Sequence, residues 1–120
     1  MRGPIQRGQV YWADLGSGSG SEQRGQRPAL IIQNDVGNLH STTVIVAAIT
    51  DGAKRYMPTH VYLETSHGLS KNSVVLLEQV RTIDKARLGD KMADLSQAEM
   101  CKVDVALHIS LGLTTGEGSR

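Results

Sequence analysis

The segment TTVIVAAIT, residues 42–50, is the clearest indication of the fold. Its run of β-branched and small apolar residues predicts a strand that is buried on both faces. Two strands are predicted before it: GQVYWADL at 8–15, rich in β-forming residues, and PALIIQND at 28–35. Pro28 would then stand at the first position of its strand, where a missing amide hydrogen costs least. The connection VGNLHS at 36–41 is predicted to be a turn or loop.

Beyond this strand, turns and strands continue to alternate. DGAKR at 51–55 begins with Asp-Gly and predicts a hairpin turn. MPTHVYLE at 57–64 alternates apolar and polar residues, as a half-buried strand does. SVVLLEQVRTI at 73–83 predicts another buried strand, with polar residues near its end. DKARLGDKMADL at 84–95 predicts a short helical turn and a short strand.

The C-terminal part predicts one helix. Ser96 and Glu99 have the spacing of a capping box, and apolar residues then recur at helical spacing, namely Met100, Val103, Leu107 and Leu111. About six short strands in succession with one terminal helix favour an α+β fold, built on a strongly curved antiparallel sheet or small barrel. We expect one domain over 1–113 and a disordered tail over 114–120.

Composition narrows the class of protein. The chain has no Phe and one Trp, so its core must be built from Val, Ile, Leu and Ala. The single cysteine, Cys101, forbids an internal disulfide and suits a reducing cytoplasm. No signal peptide and no membrane-spanning apolar run is recognisable, so we predict a cytoplasmic protein without a membrane partner.

Charge is informative through its distribution. The net charge of +1 is unlike that of strongly basic nucleic-acid-binding chains. Basic residues nevertheless cluster in three places: Arg24 with Arg27, Lys54 with Arg55, and Arg81 with Lys85 and Arg87. Such clusters of basic residues either bind a short single strand of nucleic acid or form an ordinary solvated surface.

Several kinds of site are disfavoured. GSGSGS at 16–21 has Ser21 where a dinucleotide-binding loop needs its third glycine, and no helix is predicted after it. The histidines, at positions 40, 60, 67 and 108, are not spaced as zinc ligands with one another or with Cys101. No nucleophile-elbow motif is present. We therefore predict no metal and no cofactor.

A set of polar residues stands at predicted strand ends. Arg27 precedes one strand, Thr50 ends the next, and Glu78, Gln79 and Arg81 end a later one. An arginine fork suits a phosphate, and a neighbouring hydroxyl can hydrogen-bond the same group. The alternatives are that Arg27 pairs with an acid such as Glu78 and that Thr50 satisfies its own strand end.

Six segments resemble the MazF/PemK-type toxin endoribonucleases of Gram-positive bacteria: RGQVYWADL, GSEQRGQRPALIIQND, STTVIVAAIT, PTHVYLE, SVVLLEQVRTIDKARL and KVDVALHISLGL. The resemblance runs from about Ile5 to Leu113 with little change in spacing. It implies a small SH3-like antiparallel β-barrel with a C-terminal helix, a homodimer, and a toxin of a type II toxin–antitoxin system. It also implies a cognate MazE-like antitoxin, with which the toxin forms a DNA-binding complex.

The resemblance further implies metal-independent, sequence-specific cleavage of single-stranded RNA, chiefly mRNA, by attack of a 2′-hydroxyl. Translation and growth would stop as a result. The catalytic pair falls on Arg27 and Thr50, whereas the alternative pair of the Kid branch falls on Leu76 and Glu78, and Leu76 cannot replace an arginine. The general base stays unassigned between His60 and Glu22. RNA contacts are expected from eight residues, which are Ser21, Glu22, Gln23, Pro58, His60, Glu78, Gln79 and Arg81.

Two departures from the family pattern stand out. Gln9 replaces a usual acidic residue, which puts a local ion pair in doubt, and the loop at 16–20 lacks bulky residues, which suggests mobility and a larger ordering cost. A rival interpretation from another class is a CcdB-like gyrase poison without nuclease activity. Those toxins end in Trp-Gly-Ile, whereas this chain ends in GEGSR. A non-catalytic RNA-binding barrel is a third interpretation.

Overall fold

The computed structural model describes residues 3–52, 55–63, 68–70 and 72–113. Lys54, His67 and the tail at 114–120 lie outside them. The described residues form six strands, which are β1 (Gln9–Asp14), β2 (Gln26–Ile31), β3 (Thr43–Asp51), β4 (His60–Tyr62), β5 (Ser73–Asp84) and β6 (Leu88–Asp94). Two α-helices, α1 (Asp35–His40) and α2 (Gln97–Leu111), and a 3₁₀ turn at Lys85–Arg87 complete the fold.

All six strands belong to one antiparallel sheet in the order β4-β5-β3-β2-β1-β6. The prediction of an α+β fold with an antiparallel sheet and a C-terminal helix is confirmed. Within the described residues no strand ladder joins β4 to β6, so hydrogen bonding does not close the sheet into a barrel.

Both faces of the sheet are buried. One core cluster takes buried residues from β1 to β5 and from α2, including Val10, Leu30, Val61 and Val103, and Met92 and Ala93 of β6 pack against it. The other takes residues from β1, β2, β3, β5 and β6, with Tyr11 and Val46 among its members. Apolar burial on both faces is the physical reason why the predicted central strand lacks polar alternation.

The connection between β3 and β4 corrects the prediction of a hairpin at 51–55. β4 pairs with β5 and not with β3, so the two consecutive strands lie on opposite sides of β5. Gly52 does turn the chain with φ of +76°, a left-handed conformation that glycine adopts freely. Asp-Gly therefore identified a turn correctly, but a turn signal does not determine which strands pair.

Three element boundaries also differ from the predictions. β2 begins at Gln26, so Pro28 is its third residue, although its pairing with β3 begins only at Ala29. The predicted loop at 36–41 is largely helix α1, whose N-cap Asn34 accepts a hydrogen bond from the Gly37 amide. β4 is shorter than predicted, at three residues.

Helix α2 begins as predicted. The Ser96 hydroxyl accepts from the Glu99 amide, and the Glu99 carboxylate accepts from the Ser96 amide. Val103 is buried and Leu111 is exposed, so the predicted apolar stripe stops before the last turn. Neither helix in the described segments has the length and apolar character needed to cross a membrane.

Candidate active site

Arg27 and Thr50 lie on neighbouring antiparallel strands. Ala29 of β2 pairs with Ala48 of β3, and each step back along β2 corresponds to a step forward along β3. Two further steps in this register place Arg27 opposite Thr50. Residues opposite each other in an antiparallel pair point to the same face of the sheet.

A cavity of about 290 Å³ contains both residues. Its wall comes from β1, β2, β3, β5, β6 and the segment before β5, and consists of Trp12, Gln26, Arg27, Pro28, Ile49, Thr50, Asp51, Gly68, Leu69, Ser70, Ser73 and Met92. Arg27 is partly exposed, and its Nε donates to the carbonyl of Arg24 at 3.2 Å. Among the described residues no partner occupies its two terminal nitrogens, so its fork is free to face an anion.

Glu78 does not pair with Arg27. Its carboxylate accepts from the Thr59 hydroxyl at 2.7 Å and from His60 Nε2 at 3.0 Å. Burial alone would raise the pKa of Glu78, but these hydrogen bonds outweigh it and hold the pKa below its usual value of 4.5. The alternative interpretation, in which Glu78 neutralises Arg27, is therefore wrong.

Glu78 lies at an irregularity within β5 and not at the end of that strand. Val80 pairs with Ala47 of β3, whereas Leu76 pairs with the next residue, Ala48, so the stretch between bulges away from β3. The prediction that Glu78, Gln79 and Arg81 end the strand is wrong, because β5 continues to Asp84. A bulge redirects side chains, and here it turns polar ones toward the loop before β2.

His60 is poorly placed to act as the general base in this conformation. Its side chain is 5% exposed, Nε2 faces the Glu78 carboxylate, and Nδ1 is buried with no partner. Because ionised Glu78 can only accept a hydrogen bond, Nε2 must carry the proton. Nε2 therefore cannot receive a proton from an RNA hydroxyl, and burial keeps Nδ1 out of reach of one.

The loop at 16–25 is closed by its own hydrogen bonds. The Gly25 amide donates to the Gly16 carbonyl at 2.8 Å, and the Ser19 amide donates to Glu22 Oε1 at 3.0 Å. Gln79 and Arg81 bind the loop backbone from β5. The small residues that suggested mobility thus lie in a loop with several defined contacts.

The predicted site residues therefore fall into two groups. Arg27 and Thr50 share one cavity, while Glu22, Glu78, Gln79 and Arg81 line another of about 420 Å³. Ser21 and Gln23 contact this second group through their backbone atoms. Pro58 and His60 line a third cavity of about 460 Å³, against α2.

Three features were missed by sequence reasoning. Trp12 lines the Arg27 cavity, and Thr59 holds Glu78. Tyr56 and Tyr62 stack with ring centroids 6.5 Å apart, and both are exposed. Apolar and polar residues alternate over 57–64, and this pattern places Tyr62 on the polar face of its strand. The exposure of Tyr62 could therefore have been predicted from the sequence.

Gln9 keeps the hydrogen bonds that an acidic residue could make. Its side-chain oxygen accepts from the Gln6 amide at 2.8 Å and from the Tyr11 hydroxyl at 2.9 Å. A neutral amide thus satisfies two donors without burying a charge. No cluster of three His, Cys, Asp or Glu side chains suited to a metal ion occurs among the residues described.

The family model for PemK-like, MazF-like toxins of type II toxin–antitoxin systems matches residues 6–111. The chain belongs to this family. Endoribonuclease MazF of Staphylococcus epidermidis is 60% identical over 111 residues, which cover 91% of this chain and 92% of that protein. The predicted family and the predicted toxin endoribonuclease function are confirmed, and nothing favours the CcdB-like alternative.

Solved structures agree with the family assignment. A mycobacterial endoribonuclease in complex with its cognate antitoxin is 33% identical with a TM-score of 0.79, and the match covers 92% of this chain and 98% of that one. MazF of Deinococcus radiodurans is 27% identical with a TM-score of 0.82, and the match covers 93% of this chain and 100% of that one. The sheet and the C-terminal helix are thus similar in these proteins even where only 27% or 33% of the residues are identical.

Proposed function

We propose that this toxin cleaves single-stranded RNA, chiefly mRNA, at a short recognition sequence and without a metal ion, and so stops translation and growth. One observation carries the proposal: Arg27 and Thr50 line the same cavity, and among the described residues no acidic side chain forms an ion pair with the Arg27 fork. A free guanidinium beside a hydroxyl is suited to a phosphate that gains charge in its transition state.

The reaction requires no group outside the RNA and the chain. The RNA 2′-oxygen attacks the adjacent phosphorus, and the bond from phosphorus to the 5′-oxygen breaks. The 2′-hydroxyl proton is lost and the leaving 5′-oxygen gains one, so the products are a 2′,3′-cyclic phosphate and a 5′-hydroxyl. Arg27 stabilises the phosphoryl oxygens, and Thr50 orients the phosphate or the 2′-hydroxyl.

The hydrogen bond to Glu78 engages Nε2 of His60, so we do not assign the proton acceptor of this mechanism to His60. Glu22 is exposed, but it lines the cavity next to Glu78 and not the cavity of Arg27 and Thr50, so the proton acceptor stays unassigned.

The direct test is incubation of the purified protein with RNA in the presence of EDTA. Discrete fragments with 2′,3′-cyclic phosphate and 5′-hydroxyl ends are expected, and sequencing their ends gives the recognition sequence. Folded Arg27→Lys protein, prepared identically, controls for a contaminating nuclease. Cleavage that depends entirely on added Mg²⁺, or that is equal in this control, would overturn the proposal.

The proposed assembly is a homodimer. Apolar side chains are exposed along α2 and beside it on β4, among them Val105, Ile109, Leu113 and Tyr62. An exposed apolar patch of this kind marks an interaction surface, and a second copy of the chain would cover it.

The proposed regulator is a cognate MazE-like antitoxin with an extended acidic segment, and the complex would act in the cytoplasm and bind DNA. The mycobacterial relative was solved with its cognate antitoxin. In this chain Arg24 and Arg87 are exposed near the loop at 16–25, where they would attract such a segment. If Arg24→Glu combined with Arg87→Glu left antitoxin affinity unchanged, the loop would not be its binding site.

A further inference from the structure

We infer that Gln79 and Arg81 position the loop at 16–25, which leads to Arg27 on β2, and do not themselves bind RNA. This inference rests on the proposed ribonuclease function and assigns these two residues a different role within it. Their polar atoms are directed at the loop backbone, as the following contacts show.

Gln79 forms two hydrogen bonds with the loop. Its Nε2 donates to the Ser21 carbonyl at 3.2 Å, and its Oε1 accepts from the Gln23 amide at 3.3 Å. A backbone carbonyl needs a donor and a backbone amide needs an acceptor, so this orientation of the side-chain amide is the one that satisfies both. The side chain thus pairs with the loop much as a neighbouring strand would.

Arg81 adds a third contact from the same strand. Its Nη1 donates to the Gln23 carbonyl at 3.0 Å, so the amide and the carbonyl of Gln23 are both held by β5. The next residue is Arg24, whose carbonyl accepts from Arg27 Nε at 3.2 Å. The peptide that the two β5 side chains hold therefore leads directly to the group that orients the guanidinium of Arg27.

The β5 bulge makes this arrangement possible. Thr59 and His60 fix the Glu78 side chain on one side, and Gln79, the next residue, points to the loop. In the loop, Gly16 and Gly25 close the two ends by a backbone hydrogen bond. Gln79 and Arg81 hold the span between them, so the orientation of Arg27 depends on side chains that need not touch the substrate.

The experiment compares Gln79→Ala, Arg81→Ala and Arg81→Lys with the unaltered full-length protein. Limited trypsin digestion reports loop opening without RNA, because trypsin cleaves after the exposed Arg24, whereas Pro28 protects the bond after Arg27. Single-turnover cleavage and KM are measured on the RNA identified above. Gln97→Ala, at an exposed glutamine of α2, is the matched control.

Loss of both Gln79 bonds is expected to raise the rate of cleavage after Arg24 roughly tenfold and to lower kcat to a similar extent. KM should change little, and the Gln97→Ala control should match the unaltered protein. Arg81→Lys should recover much of the activity that Arg81→Ala loses, because lysine keeps a hydrogen-bond donor. A raised KM with unchanged kcat and unchanged trypsin cleavage would overturn the inference, since it would indicate direct RNA contact. If the unaltered protein cleaves no RNA, the proposed function fails, while trypsin cleavage still tests the loop contacts.

Discussion

Arg27 places a planar fork in a cavity that it shares with Thr50, and no residue in the described part of the chain binds the terminal nitrogens of that fork. Arg27→Lys keeps the charge but loses the geometry that can hold two phosphoryl oxygens at once. The cleavage rate should therefore fall by on the order of a hundredfold to a thousandfold. RNA binding should persist, and circular dichroism should show an intact fold. Near-normal cleavage by the folded variant would mean that Arg27 acts only as a point charge or away from the phosphate.

The Thr50 hydroxyl can be tested separately from its methyl group. Thr50→Ala should abolish most cleavage, whereas Thr50→Ser should retain part of it, because serine keeps the oxygen that contacts the phosphate or the 2′-hydroxyl. Single-turnover cleavage with a parallel RNA-binding assay distinguishes loss of catalysis from loss of affinity. Equal activity of the serine and alanine variants would remove the hydroxyl from the mechanism.

The hydrogen bonds to Glu78 make stability depend on pH. Its pKa is lower in the folded protein than the usual 4.5, so the unfolded chain binds more protons as the pH falls below that value. The stabilisation is present above pH 4.5 and is lost as the pH falls through the folded pKa. Glu78→Gln should therefore be less stable than the unaltered protein near neutral pH, and the difference should shrink as the pH falls below 4.5 and through the folded pKa. Urea unfolding at several pH values measures this, and a difference that is independent of pH would contradict it.

At the scale of elements, helix α2 depends on its N-terminal cap. Ser96→Ala removes the acceptor for the Glu99 amide and should lower the free energy of unfolding by about 1 kcal/mol. Gln97→Ala, in the same exposed turn but outside the cap hydrogen bonds, is the matched control. Chemical denaturation measures both variants. Equal midpoints would show that tertiary contacts hold the helix end without the cap.

The sheet illustrates how a local signal can be correct and still incomplete. Asp51 and Gly52 do mark a turn, yet the strand that follows joins the far side of β5. Strand pairing depends on which apolar faces can be buried together, and a turn dipeptide carries no information about that. The bulge near Glu78 also follows from strand pairing and not from a local signal. β3 and β5 pair on both sides of it, so the extra residues of β5 must leave the ladder.

At the scale of the whole molecule, the exposed apolar side chains on α2 predict self-association. Val105→Lys should shift the protein from dimer toward monomer in sedimentation velocity, because a charge would be buried at the interface. Val36→Lys is the matched control, since Val36 is 71% exposed on α1 and Val105 is 61% exposed on α2. A dimer unaffected by Val105→Lys would place the interface elsewhere.

The sequence by itself determined most of the strands, the C-terminal helix and the family. The apolar run at 42–50 specified a buried strand, Ser96 and Glu99 specified the start of a helix, and the family motifs pointed to Arg27 and Thr50. Such features are local, because hydrophobic period and capping act within a few residues. Tertiary structure alone decided that Arg27 and Thr50 share a cavity, that Glu78 binds Thr59 and His60, and that Gln79 and Arg81 hold the loop. The physical reason is that these contacts depend on strand order, register and the β5 bulge, which are set by burying two faces of one sheet at the same time.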